Sequence, residues 1–422
     1  MTVVHGGRLV AQALRRHGVS HVFTLCGGHV QAIYDGCLDE QIRVIDTRHE
    51  QTAGHAADGY ARVTGRPGVS IVTAGPGITD VVTAVANAQR AGVPMVCIGG
   101  AGPKALSDMG SLQDLDSVTL MRPICKWSVQ VAETRRLKEY IDAAFRVAQS
   151  NLPGPVYLEI PLDVLMNVAD DDLPATSPLI PPPRPAGAPE RIAQAVDLLH
   201  RAQQPTFLVG SQIRWSEHDD MVERLADRIR VPFFLSGMAR GALRSDHECL
   251  FSRSRRRALA QSDLIFVFGT PFDFRLDYGR DTTWNPSAQV VQVDVDGAEL
   301  GRNRRVDVPI AGDSGLVMRE LLSAARENMA PAWLQTLREE ESKRQAQMEA
   351  EASKDTNPPN PLRVCRELSE RLGSRDIVIG DGGDFVATAS YGIKIQRPQL
   401  WMDPGPLGTL GVGPGYAMAA KL

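Results

Sequence analysis

The 422-residue chain has no apolar run approaching the roughly 20 residues that a bilayer span needs. Its first residues, MTVVHGGRLVAQALRRHGV, form an amphipathic helical pattern ending in Arg15 and Arg16, without the apolar core and cleavage site of a secretion signal. Six cysteines (Cys26, Cys37, Cys97, Cys125, Cys249 and Cys365) are too scattered for a CxxC pair or a Cys/His metal set. Reduced, buried thiols in a cytoplasmic protein are therefore expected. Neither sign of charge dominates. The 46 Lys and Arg against 50 Asp and Glu leave a net charge of -4, which offers no broad positive field to a nucleic-acid backbone. What is present is 43% apolar residues, enough for packed cores, in a length that suits about three domains.

Short β-branched runs alternate with helical patterns, which predicts an α/β fold of parallel sheets flanked by helices. His21–Leu25, Val44–Asp46, Val69–Thr73 and Met95–Gly99 are expected strands, and PGPVYLEIPLDV closes a first domain over 1–170. Ala53, Ala56, Ala57, Tyr60 and Ala61 recur at helical spacing within Thr52–Val63 and make one apolar face. Prolines crowd 171–188 and remove backbone donors, so a surface linker is expected there. Strands at Thr206–Val209, Val231–Leu235, Leu264–Phe268 and Val290–Val295 imply a second α/β domain over 189–325. A helical pattern rich in Glu, Arg, Ala and Gln runs from Leu316 to Ser353 until DTNPPNP interrupts it, which makes 326–360 a helical linker. The last region, 361–422, offers a helix at Leu362–Leu372, a strand at Ile377–Ile379 and the glycine-rich WMDPGPLGTLGVGPGYAMAAKL. So few elements cannot close a core by themselves, and a truncated third domain is expected.

Two places carry chemistry on their residues alone. Glu50 follows a strand in VIDTRHEQTAGHAADGYAR and opens a small-residue helix, where a carboxylate gains about 0.3 to 1 kcal/mol from the helix dipole; position alone leaves a purely structural role open. In TAGPGITD, Gly75, Pro76 and Gly77 join a strand to a helix and leave first-turn backbone donors free, which any tight connection of this kind also requires.

Taken together, TLCGGHV, RHEQTAGHAADGYAR, TAGPGITD, SLQDLDSVTLMRPICKW and PGPVYLEIPLDV resemble, in order and spacing, the pyrimidine-binding domain of thiamine-diphosphate enzymes. The resemblance continues through VVQVDVDGAELGRNRRVDVPIAGD and LGTLGVGPGYAMAAKL and is nearest to the acetolactate-synthase-like group with its 2-hydroxyacyl-CoA lyases. It implies a three-domain architecture in which 361–422 begins the diphosphate-binding domain. It also implies that Glu50 bonds the pyrimidine ring nitrogen and relays the proton that activates the cofactor, help typically worth about 10²- to 10⁴-fold. By the same resemblance Leu410 holds the cofactor bent, Gly408 offers its backbone to the pyrimidine, and Pro76 lines the pocket. Gly27 and Gly28 are expected cofactor contacts. His29 stands where related lyases carry an acid–base residue, and a histidine shuttles protons near neutral pH; a structural histidine is the other reading. Gln113 matches a glutamine near the reacting carbon, whereas Asp80 departs from the usual asparagine and receives no role. Gly382, Gly383, Asp384 and Phe385 resemble a loop that touches the diphosphate. IGDGGDF is not the family's magnesium motif, which needs a later asparagine, and none follows Asn360. Magnesium prefers an octahedral set of oxygens, so no residue is assigned to it and its ligands are expected beyond Leu422.

GTPFDFRLDYG resembles a loop of acetolactate synthases, whose central domain holds FAD, but the glycine stretch that approaches the flavin is replaced here by FSRSRRRAL. Arg253, Arg255, Arg256 and Arg257 argue against FAD and suit phosphates. The central domain is expected to hold the ADP part of a coenzyme A thioester or nothing, a solvated helix face being the plainer reading. The implied reaction makes or breaks a carbon–carbon bond beside a carbonyl, on a 2-oxo acid or a 2-hydroxyacyl thioester. A homodimer or homotetramer with Glu50 acting across the interface is implied, with neither membrane nor nucleic acid as partner. The competing readings are an oxalyl-CoA-type decarboxylase, a regulatory fragment, and a non-catalytic nucleotide-binding module. The last would carry GxGxxG after its first strand, where the chain has LVGSQIRW.

Overall fold

The structure is a computed structural model that describes residues 3–171 and 182–422, so most of the proline-rich stretch expected to be a linker lies outside the described residues. Packing divides the chain into two compact units, Met1–Pro183 with Pro404–Leu422, and Arg184–Asp403.

In the first unit β1 (Val3–His5) pairs antiparallel with the late strand β8 (Val168–Asp170). The strands β2 (His21–Thr24), β3 (Arg43–Asp46), β4 (Gly68–Val72), β5 (Met95–Ala101), β6 (Trp127–Gln130) and β7 (Pro155–Pro161) make one parallel sheet in the order β3-β2-β4-β5-β7-β6. β4 and β7 are buried along their whole length, which is why each is mostly apolar instead of alternating, with Ser70 and Glu159 as their buried polar residues. β6 was not expected: at the sheet edge WSVQ is only half-buried and lacks such a run.

The second unit repeats the plan with β9 (Pro205–Val209), β10 (Phe233–Leu235), β11 (Leu250–Phe251), β12 (Leu264–Phe268), β13 (Gln289–Asp294) and β14 (Val308–Ala311). These are parallel in the order β11-β10-β9-β12-β13-β14, around a core in which Phe207 stacks 4.5 Å from Phe266. The expected helix from Leu316 to Ser353 is two helices, Ser314–Ala324 and Pro331–Ala352, because Pro331 lacks a backbone N–H and fits only the first turn of a new helix. A short parallel pair, β15 (Val378–Ile379) with β16 (Trp401–Met402), joins the helices Pro361–Arg371 and Gly383–Gly392 around Cys365, Ala389, Ile393 and Trp401.

The region 361–422 is thus shared between the units: 361–403 belongs with the second, and Pro404–Leu422 with the first. There the closing helix Val412–Lys421 lies on the helix Glu50–Thr64 so closely that a Cβ on Gly415 would fall 2.8 Å from His55 Cβ. Burial expected for every cysteine fails at Cys26, which is exposed, and at Cys125, which is half-buried. Burial pushes the Cys37, Cys97 and Cys249 thiols up to about 12, so these stay protonated packing residues. No helix among the described residues is long and apolar enough to cross a membrane.

Candidate active site

The first sheet has a reversal in strand order between β2 and β4, since the chain leaves β2 toward β3 on one side and returns to β4 on the other. In open parallel sheets ligands sit beyond the carboxyl ends of the strands at such a point. From those ends the chain runs to Gly27–His29 after β2, to Glu50 after β3, to Thr73–Gly77 after β4, and to the loop bearing Gln113 after β5. Four stretches far apart in sequence therefore converge.

Glu50 is the first residue of its helix, whose start is set by His49: its extended backbone ends the turn and its Nδ1 accepts the Gln51 N–H at 3.1 Å. The Glu50 side chain is only 6% exposed and has no hydrogen bond or ion pair among the described residues. The helix dipole favours a carboxylate in this first turn by about 0.3 to 1 kcal/mol. Beside it a Cβ on Gly77 would lie 3.5 Å from Glu50 Oε1 and 2.9 Å from Thr73 Cγ2, so only glycine lets the turn pass this close to both. An acceptor without a protein partner among the described residues, at the switch point of the sheet, fits a ring nitrogen of a bound cofactor.

His29 sits in the turn Gly28–Val30, half-buried, with Nδ1 3.3 Å from Thr73 Oγ1. Gln113 adopts φ 61° and abuts Gly75, where a Cβ would meet Gln113 Cβ at 2.8 Å, so only glycine allows the loop to lie against the turn. Pro76 is exposed at the start of the helix Pro76–Ala91. His49, Glu50 and Asp80 also bring ligating atoms within 4.8 Å of one another, with His49 Nε2 3.9 Å from Asp80 Oδ2. This mixed set at an exposed edge lacks the oxygen octahedron that magnesium prefers.

Leu410 and Gly408 reach the same neighbourhood: the Leu410 carbonyl accepts from Gln51 Nε2 at 3.5 Å, and its side chain is 62% exposed. Gly408 has φ 70° with nothing near a would-be Cβ. Sequence reasoning missed Thr73, which lies between His29 and Gly77. Its only signal was its place one residue before AGPG.

Gly382, Gly383, Asp384 and Phe385 belong to the second unit, at the start of the helix Gly383–Gly392, where Gly382 and Gly383 both take φ 73° and Asp384 and Phe385 are exposed. Also in that unit, the four arginines read as phosphate contacts do not converge. The Ser252, Arg253 and Ser254 backbone N–H groups and the Ser252 and Ser254 hydroxyls all donate to the Glu341 carboxylate at 2.7 to 3.0 Å. Burial acts to raise the Glu341 pKa, and these bonds outweigh it, holding the carboxyl below its ordinary value. Arg253 lies over the Tyr391 ring at 3.5 Å, Arg257 pairs with Glu340 at 3.7 Å, Arg256 is exposed, and Arg255 has no carboxylate partner among the described residues.

Residues 4–120 match the N-terminal TPP binding domain of thiamine pyrophosphate enzymes, and residues 192–321 match their central domain. The chain is 37% identical to 2-hydroxyacyl-CoA lyase 2 of Danio rerio over 99% of this chain and 73% of that protein. It is 37% identical to the Homo sapiens 2-hydroxyacyl-CoA lyase 2 over 100% of this chain and 73% of that one. With the acetolactate synthase large subunit of Mycobacterium tuberculosis it shares 36% identity over 99% of this chain and 76% of the relative.

Proposed function

Because the chain belongs to the thiamine pyrophosphate enzyme family, we propose that it makes or breaks a carbon–carbon bond beside a carbonyl, on a 2-oxo acid or a 2-hydroxyacyl thioester. The observation that carries this reading is Glu50, a residue only 6% exposed whose carboxylate is unpartnered among the described residues at the head of its helix, beside Gly77. Thiamine diphosphate, when bound, supplies an electron sink for the reacting carbons. Glu50 holds a proton against the pyrimidine nitrogen, Gly77 and Pro76 leave and line the space for the ring, Gly27 and Gly28 contact the cofactor, Gly408 offers its backbone and Leu410 its apolar side chain. Gly382, Gly383, Asp384 and Phe385 contact the diphosphate, which magnesium accompanies through ligands other than these. His29 exchanges protons with the substrate, and Gln113 orients it. In domain terms, 1–170 binds the pyrimidine, 189–325 is central, and 361–422 opens the diphosphate-binding part. A cytoplasmic homodimer or homotetramer completes the proposal.

A thioester substrate draws support from the name of the lyase relatives and from Arg255 and Arg256, whose side chains have no carboxylate partner among the described residues. FAD does not fit: the loop amides that would meet a dinucleotide are already taken by Glu341. Replacing Glu50→Gln tests the main reading. Carbon–carbon bond turnover should fall by about 10²- to 10⁴-fold while the fold is kept. Turnover at the parent rate would end it.

A further inference from the structure

We propose that Thr73 is a positioning residue whose hydroxyl donates to His29 Nδ1 and so keeps the imidazole proton on Nε2, the nitrogen left to exchange a proton with substrate. The inference rests on the acid–base reading of His29 and adds to it the group that selects the tautomer. Thr73 directly follows β4, and its Oγ1 lies 3.3 Å from His29 Nδ1. That 3.3 Å contact is the one hydrogen bond of the Thr73 side chain among the described residues, and Nε2 of His29 has no partner there. Were Nδ1 the donor, the Thr73 hydroxyl hydrogen would have no protein acceptor; with the hydroxyl donating, one bond uses both groups. Which ring nitrogen carries the proton is set by the bond the other one makes.

Packing holds the pair in place. A Cβ at Gly27 would fall 2.3 Å from Thr73 Cβ, and one at Gly100 would fall 2.6 Å from His29 Cβ, so each side chain sits directly against a backbone that has none. The other end of Thr73 also matters. Its methyl group Cγ2 is 2.9 Å from the would-be Gly77 Cβ, whose next neighbour is Glu50 Oε1 at 3.5 Å. Thr73 is therefore bonded to the histidine through its hydroxyl and turns its methyl group toward Gly77.

The test uses the whole chain labelled with 15N-histidine, with His29→Asn to assign the ring signals in a multiple-bond 15N–1H spectrum. The neutral His29 ring should appear as the Nε2–H tautomer. Thr73→Val, which keeps shape and loses the hydroxyl, should shift it toward a mixture of tautomers and lower kcat about five- to tenfold with KM unchanged. Thr73→Ser should retain both the tautomer and kcat. A wild-type spectrum showing the proton on Nδ1 overturns the proposal by itself, whether or not the valine variant folds. So does a folded Thr73→Val protein with unchanged tautomer and kcat. Full kcat in His29→Asn would instead overturn the acid–base reading, and the spectrum would still report the hydrogen bond separately.

Discussion

Taking one oxygen from Tyr416 by Tyr416→Phe tests what holds the closing helix Val412–Lys421 on the helix that begins with Glu50. Tyr416 is fully buried; its hydroxyl donates to Asp58 Oδ2 at 2.7 Å and accepts from Asn87 Nδ2 at 3.1 Å. Asp58 also accepts from Arg62 Nε at 2.6 Å and from Asn87 Nδ2 at 2.9 Å, so the carboxylate keeps other partners when the phenol is lost. The ring survives the change, edge-on to His55 and under the Arg62 guanidinium. What disappears is the hydroxyl's bond to a charged acceptor, worth about 1.5 to 3 kcal/mol, together with the bond it accepts from Asn87, whose amide still donates to Asp58. A loss near 2 kcal/mol raises the population in which this helix is detached about 30-fold. Limited proteolysis of the native protein, followed by mass spectrometry, reads that population where closing outpaces cleavage. Cuts within 404–422 should accelerate by that factor while cuts elsewhere keep their rates. Cleavage there at the parent rate would refute the argument, and uniform acceleration across the chain would show that the bond supports the whole unit instead.

Much of this was legible from the chain wherever burial is two-sided. β5 and β12 advertise themselves as unbroken apolar runs because both faces are covered, and β4 and β7 do so but for Ser70 and Glu159. Three of the four edges of the six-stranded sheets were not legible: β6, β11 and β14 are short or half-polar, and what makes them strands is the neighbour they pair with. Glu50 and Leu410 were singled out by resemblance, but that Glu50 is only 6% exposed and has no partner among the described residues needed coordinates. Thr73 lies 44 residues from the histidine it bonds, and Tyr416 lies 358 residues from Asp58. No periodicity or local spacing can report such pairs, because they exist only once β2 and β4 are neighbours and the last helix has docked.

Two further perturbations separate stability from function. Burial pushes Asp294, on β13, up to about 6, even though Gln212 and the Asp296 N–H both donate to it. A carboxyl with a raised folded pKa binds more protons in the native state between the ordinary carboxylate value and about 6. Stability is therefore lost as pH rises through that window, by up to about 3 kcal/mol. Asp294→Asn should gain about 1 to 3 kcal/mol in urea unfolding near pH 8, and less near pH 5; an equal gain at both would sink the assignment. Leu410 makes the opposite case. Its side chain is 62% exposed, so truncation removes little buried surface, and Leu410→Ala should unfold within about 0.5 kcal/mol of the parent. Contact with the cofactor is the use proposed for this exposed leucine, which lies between Gly408 and Gly411. Thiamine diphosphate titrated into the protein with magnesium should then bind Leu410→Ala more weakly than the parent, and turnover should fall at saturating cofactor as well. A variant that kept full turnover and the parent's affinity for the cofactor would remove Leu410 from the site.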